Sequence, residues 1–212
     1  MGVKTYYANK AEFYLKGEDK VTDLINFCDN LKMPMTTGAV NHKYPMNQKI
    51  LNAMFRHGLE LNGWDIKNTR IVPKERGTKL NQKGDFVTAL NNGIKVFGEV
   101  EFGNIASAWR DLYKFNLVIA FDTYDAGIFI LPCDSIKGEI EGCYSFESVK
   151  NIITAASSSI NCPLLLIGID PNRDLDVDTN SLEPSWEKKD WNKQSESIWN
   201  DFVSRHKSEL FN

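Results

Sequence analysis

The stretch Gly84-Asp85-Phe86-Val87-Thr88-Ala89-Leu90-Asn91-Asn92-Gly93-Ile94-Lys95-Val96-Phe97-Gly98-Glu99-Val100-Glu101-Phe102-Gly103-Asn104 decides the fold. Two runs rich in β-branched and aromatic residues, Asp85 to Leu90 and Ile94 to Phe102, flank Asn91-Asn92-Gly93, a sequence suited to a tight hairpin. Side chains two apart on a strand share a face, so Glu99 and Glu101 point the same way with backbones about 7 Å apart. Val96, Val100 and Phe102 point to the other face and can pack in a core. An antiparallel hairpin brings Asp85, at the start of the first strand, beside Glu99.

Three carboxylates in one place repel each other unless a cation neutralises them. An oxygen-only set suits Mg²⁺, with Mn²⁺ as a substitute, better than zinc. Such an ion can bind a phosphate oxygen, lower the pKa of a water and stabilise a leaving alkoxide, the three needs of phosphodiester hydrolysis. The pattern taken alone also fits an exposed acidic strand face.

Outward from this hairpin, Gly17 to Leu31 reads as a helix with Val21, Leu24, Ile25 and Cys28 on one stripe. Pro34 to Tyr44 reads as a loop. A second helix spans Pro45 to Leu61, with Ile50, Leu51, Met54, Phe55 and Leu59 at helical spacing, closed by Asn62-Gly63. Arg70 to Pro73 reads as a short strand. A third helix begins at Asn104, a good N-cap, and runs to Ile119. Its apolar stripe is Ile105, Ala108, Trp109, Leu112 and Tyr113; Ser107, Arg110, Asp111 and Lys114 form a polar one. Ala126 to Leu131 and Leu164 to Ile169 are strands, the second apolar enough for burial on both faces. Asp190 to Leu210 reads as a helix with Trp191, Ile198, Phe202 and Val203 inward, and Trp186, Trp191 and Trp199 as its packing residues. These elements predict an α/β fold: one domain over 1–212, a mixed central sheet flanked by helices, with 184–212 a C-terminal helical segment.

The 212 residues, 42% hydrophobic and 25% charged, are enough for a full core. A net charge of -3 excludes a simple polycation coating nucleic acid. Charge is nevertheless segregated: Lys67, Arg70, Lys74, Arg76, Lys79 and Lys83 face Glu75 alone in one stretch, and Asp170, Asp174, Asp176 and Asp178 face Arg173 in another. Cys28, Cys133, Cys143 and Cys162 form no C-x-x-C pair, so neither a zinc knuckle nor a disulfide framework is expected. The N-terminus has no signal-peptide core, and no apolar run reaches membrane-spanning length. The expectation is a cytoplasmic protein without a membrane partner. His42, His57 and His206 are scattered and suggest no nucleophile or ligand set.

The acid, the gap and Glu99-Val100-Glu101 together resemble the PD-(D/E)xK nuclease site, with Glu101 where the general pattern has lysine. Glu99-Val100-Glu101-Phe102-Gly103-Asn104-Ile105-Ala106-Ser107-Ala108-Trp109-Arg110 is similar to the BamHI/BglII/BstYI-like group of type II restriction endonucleases. So are Leu51-Asn52, Phe55, Leu59-Glu60, Gly63-Trp64, Asp85-Phe86-Val87, Ile130-Leu131-Pro132 and Pro163 to Ile169. The resemblance runs from Leu51 to Pro171. It implies a restriction-endonuclease-like fold and a Mg²⁺-dependent homodimer. It also implies cutting of both strands of a short palindrome in double-stranded DNA, built around GATC, with 5′-phosphate and 3′-hydroxyl ends. Carried over by position, Asp85, Glu99 and Glu101 are the metal-site acids. Glu101 orients or deprotonates water, where relatives also use glutamine, and Glu60 is a further acid acting through water.

The same resemblance makes Asn104, Ser107 and Arg110 DNA-facing, where base edges and phosphates offer partners. Without it they read as a helix cap and a solvated face. Ser157, Ser158 and Ser159, in the Ala155 to Asn161 segment, are candidate base readers on that ground; composition alone makes them a loop. Two other functions stand as alternatives: a repair or junction-resolving nuclease with the same metal site, which would need lesions or branches, and a non-catalytic DNA-binding protein. The latter is disfavoured because acids without metal repel phosphate.

Overall fold

A computed structural model describes residues 2–36, 44–72, 81–191 and 195–211. In chain order these form β1 (Lys4–Ala8), α1 (Glu12–Leu15), α2 (Asp19–Asp29), β2 (Pro34–Met35), α3 (Gln48–Leu61), β3 (Phe86–Ala89), β4 (Lys95–Val100) and α4 (Ile105–Ala120). They continue as β5 (Ala126–Pro132), α5 (Phe146–Ala155), β6 (Leu164–Ile169), β7 (Val177–Asp178), α6 (Thr179–Leu182), α7 (Lys188–Trp191), α8 (Glu196–Arg205) and α9 (Lys207–Phe211).

The main sheet has the order β1-β6-β5-β4-β3. Strands β4, β5 and β6 run parallel at its centre, and β3 and β1 are antiparallel edges. The expected mixed sheet between helices is therefore present. Every residue of β5 and β6 is buried, as near-continuous apolar strands in mid-sheet should be. Alternate residues feed two cores. Val96, Ile128, Ile130, Leu165 and Ile167 pack towards α2, α3 and α8. Phe97, Phe129, Leu131, Leu164 and Leu166 pack towards α4 and α5. Helix α3 begins at Asn47, whose side chain accepts the Ile50 N–H, and ends before Gly63, whose φ of +72° a side-chain-bearing residue adopts only with strain.

Several expectations need correction. Strand β1, at the N-terminus, completes the sheet, and α5, absent from the elements expected above, carries an apolar stripe of Phe146, Val149 and Ile153. Around Arg70 there is only an isolated bridge to Lys83, not a strand; Pro73, Lys74, Glu75, Arg76 and Lys79 lie outside the described residues, as do His42 and most of the 34–44 segment. In place of one C-terminal helix stand α7, α8 and α9, the last two parted at His206, which leaves helical geometry at φ -111° and ψ 31°. There Trp199 is buried with Phe202 and Val203, and Ile198 is only half-buried. All four cysteines are buried and unpaired. Among the described residues no helix is long and apolar enough to cross a membrane.

Candidate active site

Strand register brings the first two acids together. Phe86 lies opposite Gly98, so Asp85, one step earlier, falls opposite Glu99 on the same sheet face. The Asp85 N–H donates to the Gly98 carbonyl at 3.0 Å, and the Val100 N–H donates to Asp85 Oδ2 at 2.8 Å. That second bond fastens the aspartate to the peptide between the two glutamates. Glu101 follows β4 and is held to β5 by its N–H donating to the Ile130 carbonyl at 3.0 Å. The three acids thus stand at the C-terminal end of a parallel strand, where open α/β sheets place their sites.

Glu99 is 2% exposed and Glu101 8%. Helix α4 supplies their counter-charges from its inner face. Lys114 Nζ lies 2.9 Å from Glu99 Oε1 and 2.9 Å from Asp111 Oδ1, with all three side chains buried. Arg110 is half-exposed; its Nη2 lies 3.4 Å from Glu101 Oε2 and its Nε 3.1 Å from Asp111 Oδ1. The expected stripes on α4 are therefore rotated. Asp111 and Lys114 turn inward with Ala108, Leu112 and Phe115, while Ile105, Trp109 and Tyr113 face outward. Attraction to Glu99 overrides the ordinary preference of Lys114 for solvent, and Asp111 is held inward by its ion pairs with Lys114 and Arg110.

The carboxyls hold protons unusually well. Desolvation lifts Glu99 well above the ordinary range, and the Asp85 and Asp111 charges add to it against Lys114. Glu101 is pushed up to about 7, first by burial and then by its hydrogen bond with Asp111, against the Gly103 N–H and Arg110. Asp85 is more open to solvent, yet desolvation of its carboxyl still raises it, opposed by the Val100 N–H and Lys114. The Gly103 N–H donates to Glu101 Oε1; a Cβ on Gly103 would lie 2.5 Å from that oxygen, so only glycine admits this pose.

Asp85, Glu99 and Glu101 offer only oxygen donors, the set a hard divalent cation takes. Among the described residues no group of three or more His, Cys, Asp or Glu side chains already encloses a common metal position. A positive charge does sit among them in the Lys114 ammonium. Mutual repulsion of Asp85, Glu99 and Asp111 fits the demand of such a site for cation charge.

Of the other candidates, Asn104 caps α4, its Oδ1 accepting the Ala106 and Ser107 N–H groups at 3.0 and 3.2 Å. It stands with Ser107 and Arg110 at the acid end of the molecule. Glu60 lies exposed on α3, one turn beyond Arg56, and pairs with Lys67 at 3.1 Å, while Asn52, Phe55, Arg56 and Leu59 of the same helix line the hollow that reaches Asp85. Ser157, Ser158 and Ser159 form an exposed turn before β6, and the Ser159 carbonyl accepts Asn116 Nδ2 at 2.8 Å. Since β4, β5 and β6 run parallel, this turn lies before the N-terminal end of β6, whereas Glu99 and Glu101 lie at the C-terminal end of β4. Asp111 and Lys114 were overlooked as site residues; their i, i+3 spacing on a helix directly after E-x-E was the available signal. The segment between β5 and α5 was overlooked too, although Cys143 in it bridges to Asn104.

A family model described as restriction endonuclease BglII/BglIII matches residues 3–169. Among solved structures, that of restriction endonuclease BglII complexed with a DNA 16-mer aligns with a TM-score of 0.66 at 15% identity, over 81% of this chain and 77% of that one. The structure of free BglII aligns with a TM-score of 0.53 at 12% identity, over 81% of each chain. No curated protein matches in sequence.

Proposed function

The chain belongs to the BglII/BglIII restriction endonuclease family and is a type II restriction endonuclease, and we propose that it hydrolyses both strands of a short palindromic double-stranded DNA site with Asp85, Glu99 and Glu101. The observation carrying this reading is Asp85 facing Glu99 across the β3–β4 pair, with Glu101 one strand period further on. Asp85 and Glu99, with Glu101 as a further oxygen donor, would hold a divalent cation, Mg²⁺ or in its place Mn²⁺. When bound, that ion supplies charge neutralisation at the phosphate and stabilises the leaving oxygen.

The chain's own residues do the rest. Glu101, with a proton affinity near neutrality, is matched to a general base at physiological pH. Its Oε1 is tied to the Gly103 N–H, which leaves Oε2, at the longer Arg110 contact, to accept the proton of the attacking water. Lys114 keeps Glu99 aimed at the site. Attack on phosphorus with departure of the 3′ oxygen leaves 5′-phosphate and 3′-hydroxyl ends. The N-terminus of α4 seats a phosphate, and Asn104, Ser107 and Arg110 lie where the duplex meets it. BglII has been crystallised with DNA, and a GATC-centred target follows by analogy with its group. Glu60 and Ser157 to Ser159 have no part in this reading.

A palindrome calls for two copies related by a two-fold axis. Ile105, Trp109 and Tyr113, at 49%, 49% and 63% exposure, form an apolar line along the outer face of α4, and this line is the homodimer surface. Digesting a plasmid with Mg²⁺ and sequencing the ends tests the whole reading. Defined palindromic cuts are expected, and Asp85→Asn should abolish them while retaining duplex binding in Ca²⁺. Cutting by that variant would overturn the site assignment.

A further inference from the structure

A channel in two parts runs along α3 from Asp85, and only its second part is walled by α8. Its first chamber, about 160 Å³, is lined by Asp85, Gly84, Asn52 and Arg56 among others. Its second, about 230 Å³, is lined by Lys49, Asn52, Arg56, Glu196, Trp199 and Asn200. Asn52 and Arg56 belong to both, so the chambers adjoin. Helix α8 falls outside the 3–169 family match, so the family accounts for only one wall.

We propose that this channel holds the sugar-phosphate backbone of the DNA strand running out from the acid cluster, with Arg56 as its phosphate contact. This rests on the reading of duplex DNA as substrate. Lys49, Asn52 and Arg56 lie at i, i+3 and i+7, a straight stripe along α3 about 10 Å long. That length matches about three nucleotides of one strand at 3.4 Å each along the duplex axis. The stripe offers two cations and an amide, with Asn200 opposite. Lys49 is steadied 5.5 Å over the Trp199 ring, and Trp199 is buried, so the α8 wall is firm.

The acid in the second chamber is Glu196, and it is ion-paired with Arg56. Both side chains are open to solvent, at 50% and 60%, so the pair is weak and exchangeable. A carboxylate on a guanidinium occupies the place of a phosphate, and phosphate makes the same forked contact with more charge. Glu196 thus stands in for DNA in the free protein and yields to it on binding.

The test is fluorescence anisotropy of a short duplex of mixed sequence in Ca²⁺, across a salt series, for the parent chain, Arg56→Gln, Arg56→Lys, Glu196→Gln and Lys150→Gln. Lys150 stands over Tyr6 near the far edge of the sheet and serves as the control. Arg56→Gln should lower the slope of log K against log salt by about 0.9 and weaken binding about eightfold at 0.1 M salt, with an unchanged melting temperature. Arg56→Lys should recover the slope, Glu196→Gln should tighten binding, and Lys150→Gln should match the parent. Arg56→Gln binding with the parent's affinity and slope overturns the channel while leaving DNA cleavage intact. A parent that binds no duplex overturns both readings.

Discussion

Lys114 on α4 places its ammonium 2.9 Å from Glu99 Oε1 on β4, and the pair is closed off from solvent. The chain therefore carries an internal counter-ion for its own acid cluster. Removing one partner of such a pair leaves a buried charge without compensation, which costs about 3–5 kcal/mol. Lys114→Met is expected to destabilise the metal-free protein by that amount. Urea unfolding in EDTA measures it, and a loss under about 1 kcal/mol would mean the acids are already protonated and need no counter-ion.

Glu101 predicts a pH dependence of the opposite sign to an ordinary paired carboxylate. Its value is about 7 when folded against an ordinary 4.5, so the folded chain holds the proton more tightly. Below 4.5 both states are protonated and nothing is lost. As pH rises from 4.5 towards 7 the unfolded chain ionises first, and stability falls by about 3 kcal/mol over that window. Glu101→Gln should flatten this part of the metal-free stability profile, read from urea midpoints across it. An unchanged slope would place the proton elsewhere.

Gly103→Ala sets a Cβ against Glu101 Oε1 and displaces the carboxylate from its amide. The expected result is a roughly hundredfold slower cut, the cost of an ångström-scale misplacement, with DNA affinity and melting temperature retained. Single-turnover cleavage checks it, and wild-type rates would show that the Gly103 contact is dispensable.

Trp109→Ala tests the outer face of α4. Truncating a central aromatic costs about 2 kcal/mol per copy, and a two-fold interface contains it twice, so association should weaken on the order of a thousandfold. Sedimentation velocity across a dilution series reads this directly. Unchanged association would move the interface elsewhere.

Much of this was legible in the sequence because period and polarity determine it. The Asn91-Asn92-Gly93 turn fixed the pairing of β3 with β4, and pairing fixed the face of Asp85 and Glu99. Helix α3 was readable because Ile50, Leu51, Met54, Phe55 and Leu59 repeat at helical spacing and all are buried. The orientation of α4 was not readable. Leu112 and Trp109 are both apolar, and only Glu99 beneath, bridged through Lys114 to Asp111, decides that Leu112, Asp111 and Lys114 turn in while Trp109 turns out. Glu60 and the Ser157 to Ser159 turn were placed by analogy along the chain. Their distance from the acids depends on helix rotation and strand direction, which residue order alone does not convey.

One rod, α4, does two jobs on opposite sides. Its outer line of Ile105, Trp109 and Tyr113 is the face we propose for a neighbouring copy, and Asp111 and Lys114 lie on its inner side, with Lys114 on Glu99. Any roll of that rod as two copies close on a duplex must tug on Glu99 in the same stroke. In the proposed dimer, pairing of subunits and readiness to cut would be one mechanical event, and an unpaired copy meeting DNA would have its blade out of true.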